Sequence, residues 1–200
     1  MARISTVKML REAVQSSDAD RFSLRELVRL LHNRAFGLGL FLASMLACLP
    51  MPPPIPAVGG LIIMFFSIQM MLGHRALKLP GWIGHREIGR ERLTRGIDHA
   101  EPWINRIERL SRTRLTFLTG NIGKFLLGAV ALIMGFLLLL PIPVLGNLPP
   151  GIAVAIMSLA LIQRDGIILL VGYMAATVAF VLSGGAAWIA VQAFLSFDWQ

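Results

Sequence analysis

The sequence predicts an all-α integral membrane protein, and three observations predict it. Of its 200 residues, 56% are hydrophobic and only 15% are charged, a balance outside that of an ordinary soluble domain. Counting Asp, Glu, Lys and Arg, no charge falls between Arg34 and Arg75, from Phe125 through Gln163, or from Gly166 through Phe197. Apolar runs beyond about 18 residues read as transmembrane candidates rather than as core elements of a water-soluble fold. The third observation is where the bases went: seven of the 19 Lys and Arg lie in residues 1–34 and eleven in residues 74–124, all flanking apolar runs.

That distribution decides what the excess of bases means. A basic chain invites a nucleic-acid reading, but charge confined to the flanks of apolar segments is the positive-inside signal of membrane topology. It excludes nucleic acid as the expected partner. It also places the N-terminus and the central segment on the cytoplasmic side, with the first apolar run entering and returning between them.

Residues 1–34 form a basic amphipathic segment. Leu24, Leu27, Leu30 and Leu31 are spaced for one helical face, and Ser23 begins SLRE, a capping-box pattern. The first 30 residues hold no apolar stretch of the kind a signal peptidase substrate needs, so no cleavage is expected.

Residues 35–73 and 125–163 are each 39 residues long and repeat one another. A shift of 91 places Pro50, Pro52 and Gly60 on Pro141, Pro143 and Gly151, and Gly37 on Gly128; a two-residue adjustment then brings Gly73 onto Gly166. Proline cannot donate a backbone hydrogen bond and disfavours helix at the residue before it, so each run breaks into a hairpin. The arms 35–49 and 60–73 contain 15 and 14 residues, those of the second run 16 (125–140) and 12 (152–163). At 1.5 Å per residue the first pair reaches only about 22 Å, short of a hydrocarbon core of about 30 Å. Re-entrant hairpins are the expectation, the other reading being ordinary helical hairpins whose prolines turn at the far interface.

Between the hairpins, residues 74–124 read as a cytoplasmic basic loop with a second amphipathic helix, in which Ile104, Ile107 and Leu110 share a face and Glu101-Pro102 suits a helix start. Residues 166–200 hold one or two C-terminal transmembrane helices. Residues 166–183 are long enough to span, Gly184-Gly185 reads as a hinge, and the tail carries Trp188 and Trp199.

The chemistry-bearing candidates follow from this layout. Interrupted helices in matching halves are how membrane proteins expose backbone groups to a substrate. The substrate-path candidates are therefore Pro50, Pro52, Pro54, Pro56, Gly59 and Gly60 with Pro141, Pro143, Gly146, Asn147, Pro149, Pro150 and Gly151, among which Asn147 is the only side-chain amide. The bland alternative is that the prolines make interfacial turns and Asn147 supplies turn chemistry. Arg164 and Asp165 stand between two apolar runs, where charge is costly unless paired, hydrated or at the surface. Their alternative is a cytoplasmic turn in which Asp165 caps the last helix and Arg164 snorkels. Gln69 and Gln163 occupy similar places in the two halves and either line a polar path or bond within the bundle. Arg86, Arg90, Arg106 and Arg109, together with Arg92, Arg95, Arg112 and Arg114, suit anionic headgroups, although a topology signal alone also requires positive charge.

Other chemistry is absent from the pattern. Cys48, the only cysteine, reads as a small packing residue, and His32, His74, His85 and His99 lack metal-ligand spacing. No nucleophile, base and orienting group stand together, so no catalytic residue or cofactor is assigned and a non-enzymatic role is expected. Gly37 and Gly39 permit helix association, within the chain or in a homo-oligomer.

The paired LPMPPPIP and LPIPVLGNLPP strings, IQRDG at 162–166 and the basic segment between the hairpins resemble the exopolysaccharide synthesis ExoD family across nearly the whole chain. The resemblance implies a multi-pass protein of the bacterial inner membrane associated with exopolysaccharide production. It brings no catalytic residues. It leaves two roles open: handling of a lipid-linked or anionic substrate at the helix breaks, or a non-catalytic scaffold that binds exopolysaccharide assembly proteins.

Overall fold

Proline sets the helix boundaries in the computed structural model, which describes residues 21–23, 28, 33–49, 54–74, 76–78, 81, 87–89, 91, 94–95, 98, 120–140 and 144–196. Helix α1 spans Asn33–Cys48 and ends two residues before Pro50; α2 spans Pro54–Met71 and opens on the last proline of the PPP run. Pro54 and Pro56 lie in its first turn, where a helix leaves its amides without partners and a missing N–H costs nothing. Helix α3 spans Asn121–Leu137, stopping ahead of Pro141, and α4 spans Val144–Gln163 with Pro149 and Pro150 inside it. Helix α5 runs unbroken from Gly166 to Leu195.

Two expectations are corrected here. The arms are longer than the proline positions implied, because α2 and α4 begin six and eight residues earlier than expected and take in prolines that were counted as loop. At 18 and 20 residues they measure about 27 and 30 Å at 1.5 Å per residue. The second correction is at Gly184-Gly185, which is no hinge: α5 passes straight through it to a length of 30 residues. Each glycine costs a helix about 1 kcal/mol relative to alanine, too little to interrupt so long an apolar helix.

One departure from an all-helical chain is a ribbon of two three-residue strands. Strand β1, Arg21–Ser23, pairs antiparallel with β2, Glu87–Gly89, setting Arg21 opposite Gly89 and Ser23 opposite Glu87. It joins the two basic segments to each other. The expected amphipathic helices at 24–31 and 101–110 lie almost wholly outside the described residues; Val28 alone is described, and it is helical.

Helices α1 to α4 form a ring in which every neighbour is antiparallel, built on close backbone approaches at glycine. A Cβ at Gly37 would lie 2.6 Å from Ile162 Cγ1 and 3.1 Å from the Ser158 carbonyl, which sets α1 against α4. A Cβ at Gly128 would lie 2.9 Å from Met71 Cγ and 3.1 Å from the Ser67 carbonyl, which sets α3 against α2. Residues 37 and 128, 67 and 158, and 71 and 162 are each separated by 91. The far ends repeat the relation: a Cβ at Gly60 would lie 2.7 Å from the Gly135 carbonyl, and one at Gly151 would lie 2.6 Å from Cys48 Sγ and 3.6 Å from the Ser44 carbonyl, with 44 and 135 again 91 apart.

The core of the ring is mainly apolar, with Ser44, Ser67 and Ser158 buried among the hydrophobic side chains. Phe36, Leu40, Ile63, Leu127, Ala131, Met134, Leu138 and Val154 are all buried to within 2% of complete exclusion. The outside is apolar as well: Leu42, Leu72, Met174, Val181, Trp188 and Ile189 each expose more than three fifths of their surface. Soluble monomers rarely carry apolar surface on this scale, whereas lipid accepts it. Helix α5 is long and apolar enough to cross a membrane over Gly166–Ile189. It packs outside the ring, mainly on α4, where Gly172 receives Met157, and it also touches α3. Correspondingly α3 and α4, consecutive in the chain, share less contact than α1 and α2.

Candidate functional site

The ring brings the helix ends that flank the two proline breaks to one end of the bundle and places Arg34, Lys124, Arg164 and Asp165, at or beside the termini of α1, α3, α4 and α5, at the other. At the break end, α1 finishes with Leu49 N–H donating to Leu46 O at 3.3 Å. Helix α3 tightens in the same way, with Leu139 and Leu140 donating to Phe136 and Leu137 carbonyls at 3.0 and 3.2 Å. In α4, Pro149 and Pro150 lack the amides that the carbonyls of Leu145 and Gly146 would otherwise accept.

Asn147 lies in this opening turn of α4, 5% exposed, with its Oδ1 buried and without a hydrogen-bond partner. An unsatisfied buried amide oxygen costs about 1–3 kcal/mol, so the position carries a penalty that an apolar residue would not. Pro56, 91 residues earlier, is also buried, as are Gly59, Gly60, Pro150 and Gly151, while Pro149 is half-buried. Pro54 and Gly146 sit in the first turns of their helices. Pro50, Pro52, Pro141 and Pro143 lie outside the described residues.

At the other end, sequence candidates divide by role. Gln69 is fully occupied: its Nε2 donates to the Lys78 carbonyl at 3.1 Å and its Oε1 accepts from the Lys78 N–H at 2.8 Å. It clamps the segment after α2 rather than lining a path. Asp165 caps α5, its Oδ1 accepting from the Ile167 N–H at 2.9 Å, so the capping reading holds for that residue. Arg164 is exposed and has φ 53°, the only non-glycine residue at positive φ among those described. The Asp165 N–H donates back to Ala160 O at 3.1 Å, which makes the turn a Schellman motif with Arg164 in its left-handed position.

Gln163 differs from Gln69. It is 7% exposed and both its Nε2 and Oε1 are buried without partners. Sixteen residues of α4 separate it from Asn147, about 24 Å along a helix, so the structure assigns the path candidates to two separate ends. Arg86, Arg90, Arg106 and Arg109 lie outside the described residues.

Lys124 was not singled out by sequence, which counted it only as a flank charge. It sits in the first turn of α3, half-buried, just ahead of the charge-free run. Burial first, and the Arg164 guanidinium second, hold its ammonium below the ordinary lysine value. The signal that marks it is the run boundary: a base one residue before an apolar helix that packs into a bundle is partly desolvated.

A ring of four antiparallel helices with a fifth packed outside it, an apolar exterior and one helix long and apolar enough to cross a membrane point to a helical membrane-associated protein. The chain belongs to the ExoD family: the family model described as "Exopolysaccharide synthesis, ExoD" matches residues 6–185. It is similar to Protein ExoD of Rhizobium meliloti, 32% identical over 92% of this chain and 79% of that protein. It is also similar to an uncharacterised protein of Synechocystis sp., 25% identical over 82% of this chain and 81% of that one. No solved structure matches it.

Proposed function

We propose that the chain is a multi-pass protein of the bacterial inner membrane, with its N-terminus and residues 74–124 cytoplasmic, that handles a lipid-linked or anionic substrate of exopolysaccharide synthesis at the end of the bundle where the two breaks meet. The two hairpins are read as an internal repeat about an axis along the bundle, supported by the 91-residue spacing of their glycine contacts. Helix lengths of about 24–30 Å favour hairpins that reach the far face over hairpins that turn back at mid-depth.

The observation that carries the reading is the buried, unpartnered Oδ1 of Asn147 beside the prolines of α4. A polar group kept at a cost in an apolar setting points to a ligand it serves. Replacing Asn147 with Leu tests it: exopolysaccharide output should fall in cells carrying only the variant, at unchanged protein level. Output equal to the parent's would sink the reading.

A second reading is a non-catalytic scaffold of the assembly machinery, supported by the apolar side chains, Leu40, Ile63, Ala131 and Val154, that are fully buried at the centre of the ring. Crosslinking in producing cells discriminates, since a scaffold captures polysaccharide-synthesis enzymes and tolerates Asn147→Leu.

A further inference from the structure

The fifth helix and the ring it packs on differ in height. Buried positions on α5 recur at Leu169, Gly172, Ala176, Ala179 and Ser183, the three-and-four spacing of a helix that buries one stripe. The seam stops there. Beyond Ser183 no described residue of α5 is buried, a Cβ at Gly184 or Gly185 would meet nothing within 4 Å, and Trp188 and Ile189 lie open.

The register of the two helices accounts for this. Gly172 is seated on Met157 and α5 runs antiparallel to α4, so Gly185, thirteen residues past Gly172, stands level with Val144, thirteen before Met157 and the first residue of α4. The rest of α5, residues 186–195, carries no charge and rises about 15 Å past that level.

Charges mark the opposite end. Arg34, Lys124, Arg164 and Asp165 all stand there, which gives the apolar lengths a common base. For α5 the apolar stretch is Gly166–Ile189, 24 residues or about 36 Å. In the ring it is Arg34–Cys48, Ile55–Met71, Ile122–Leu137 and Asn147–Gln163, each about 22–26 Å. A hydrocarbon core of about 30 Å falls between the two. Tilt does not remove a difference of about 10 Å, because tilting the bundle shortens ring and helix in proportion. Helix α5 is also held along α4 as far as Ser183 and is unbroken to Leu195, so it neither tilts alone nor kinks. Lipid must take up the difference.

The helix ends of the ring supply a second reason. The last carbonyls of α1 and α3 and the first amides of α2 and α4 have no partners within their helices and call for water. Irregular backbone exposed to lipid is not found inside hydrocarbon. A flat far surface would immerse these ends.

We propose that the protein holds the far surface of the bilayer at two levels, high against α5 and drawn down by about 10 Å over the end of the ring where the proline breaks meet. The partner at that end is far-leaflet phospholipid, with its acyl chains shortened and splayed and its headgroups lowered onto the ends of α1 and α4. The proposal rests on the membrane reading given above and extends it. Asn147, in the opening turn of α4, then lies beneath a depression, and a lipid-linked substrate of the far leaflet reaches it without its headgroup leaving the headgroup layer.

The test uses the full chain with Cys48→Ala, carrying single cysteines labelled with a nitroxide, in vesicles of dioleoylphosphatidylcholine. Label depth is read from accessibility to oxygen against accessibility to a nickel chelate, in variants that melt near the parent's temperature. Leu49 on α1 and Val181 on α5 are both exposed. The contacts of Gly37 with Ser158 and Ile162, and of Gly172 with Met157, put them within about one turn of the same height. Leu49→Cys is expected at headgroup level, and Val181→Cys about 10 Å deeper, inside the hydrocarbon. Val58→Cys and Val178→Cys, also at exposed positions, repeat the comparison on α2 and α5 if the first pair does not fold. Ile133→Cys, on the exposed side of α3 at mid-height, reads the membrane itself. Equal depths within a pair mean a flat surface and overturn the proposal while the membrane reading stands, whatever Asn147→Leu does to exopolysaccharide output. A label in water at Ile133 overturns both.

Discussion

Gly73 and Arg164 stand 91 residues apart and share a left-handed backbone conformation, at φ 72° and 53°, Gly73 two residues past the end of α2 and Arg164 one past the end of α4. The hydrogen bonds match too: His74 N–H donates to Gln69 O at 3.2 Å, as Asp165 N–H donates to Ala160 O at 3.1 Å. Gly73 therefore corresponds to Arg164 and not to Gly166, and the 91-residue register runs through this turn without adjustment. A left-handed residue other than glycine costs about 1–2 kcal/mol. Arg164→Gly should raise stability by about 1 kcal/mol, read as a higher detergent-unfolding midpoint, and Gly73→Arg should lower it by a similar amount. No change on Arg164→Gly would mean that the turn is not held at positive φ.

The glycine contacts set a graded series. A Cβ at Gly60 meets a backbone oxygen, which cannot yield, whereas one at Gly151 meets the Sγ of Cys48. Gly60→Ala should destabilise by about 1–3 kcal/mol, the usual cost of overpacking. Gly151→Ala should cost less and be relieved by Cys48→Ala. Additive effects in that double-mutant cycle would contradict the packing.

The Gln69 clamp predicts a local effect. Gln69→Leu removes both hydrogen bonds to Lys78, at a cost of about 1 kcal/mol for each. Hydrogen exchange at the Lys78 amide should accelerate while amides at the centre of α1 and α3 keep their protection. Unchanged exchange at Lys78 would show that something else holds the segment.

Lys124 gives a pH dependence whose sign follows from its lowered pKa. Just below the ordinary lysine value the unfolded chain binds this proton and the folded chain has begun to lose it, so stability rises with pH there. Comparing unfolding between about pH 8 and 10, Lys124→Met should flatten the rise. An identical slope in the variant would remove Lys124 as its source.

Much of this was legible, and the remainder was hidden for identifiable reasons. The three charge-free runs contain nearly all of the five long helices, because a helix that is apolar on every side has no place for a charge. The 91-residue spacing was visible in the sequence at Gly37 and Gly60, and the close contacts of Gly37 and Gly128 share that spacing. Helix starts were misplaced because proline ends one helix and begins another with equal ease: Pro54 and Pro56 belong to α2, not to the loop before it. Gly184-Gly185 looked like a hinge because two glycines in sequence say nothing of the apolar helix on either side. Gln69 and Gln163 could not be told apart, since the partner that satisfies Gln69 is a backbone nine residues away. The Lys124 and Arg164 corner needed the adjacency of α3 and α4, which no spacing in the chain encodes.

The connection from α4 to α5 has a mechanical consequence. Arg164 and Asp165 are its whole length, and hydrogen bonds from Asp165 to Ala160 O and from Ile167 to Asp165 pin it on both sides. With Gly172 seated on Met157 two turns further along, α4 and α5 are welded into a single lever about one fulcrum. Any tilt that loosens the seam between α3 and α4 carries α5 with it, so the fifth helix transmits to the outside of the bundle what happens at the core.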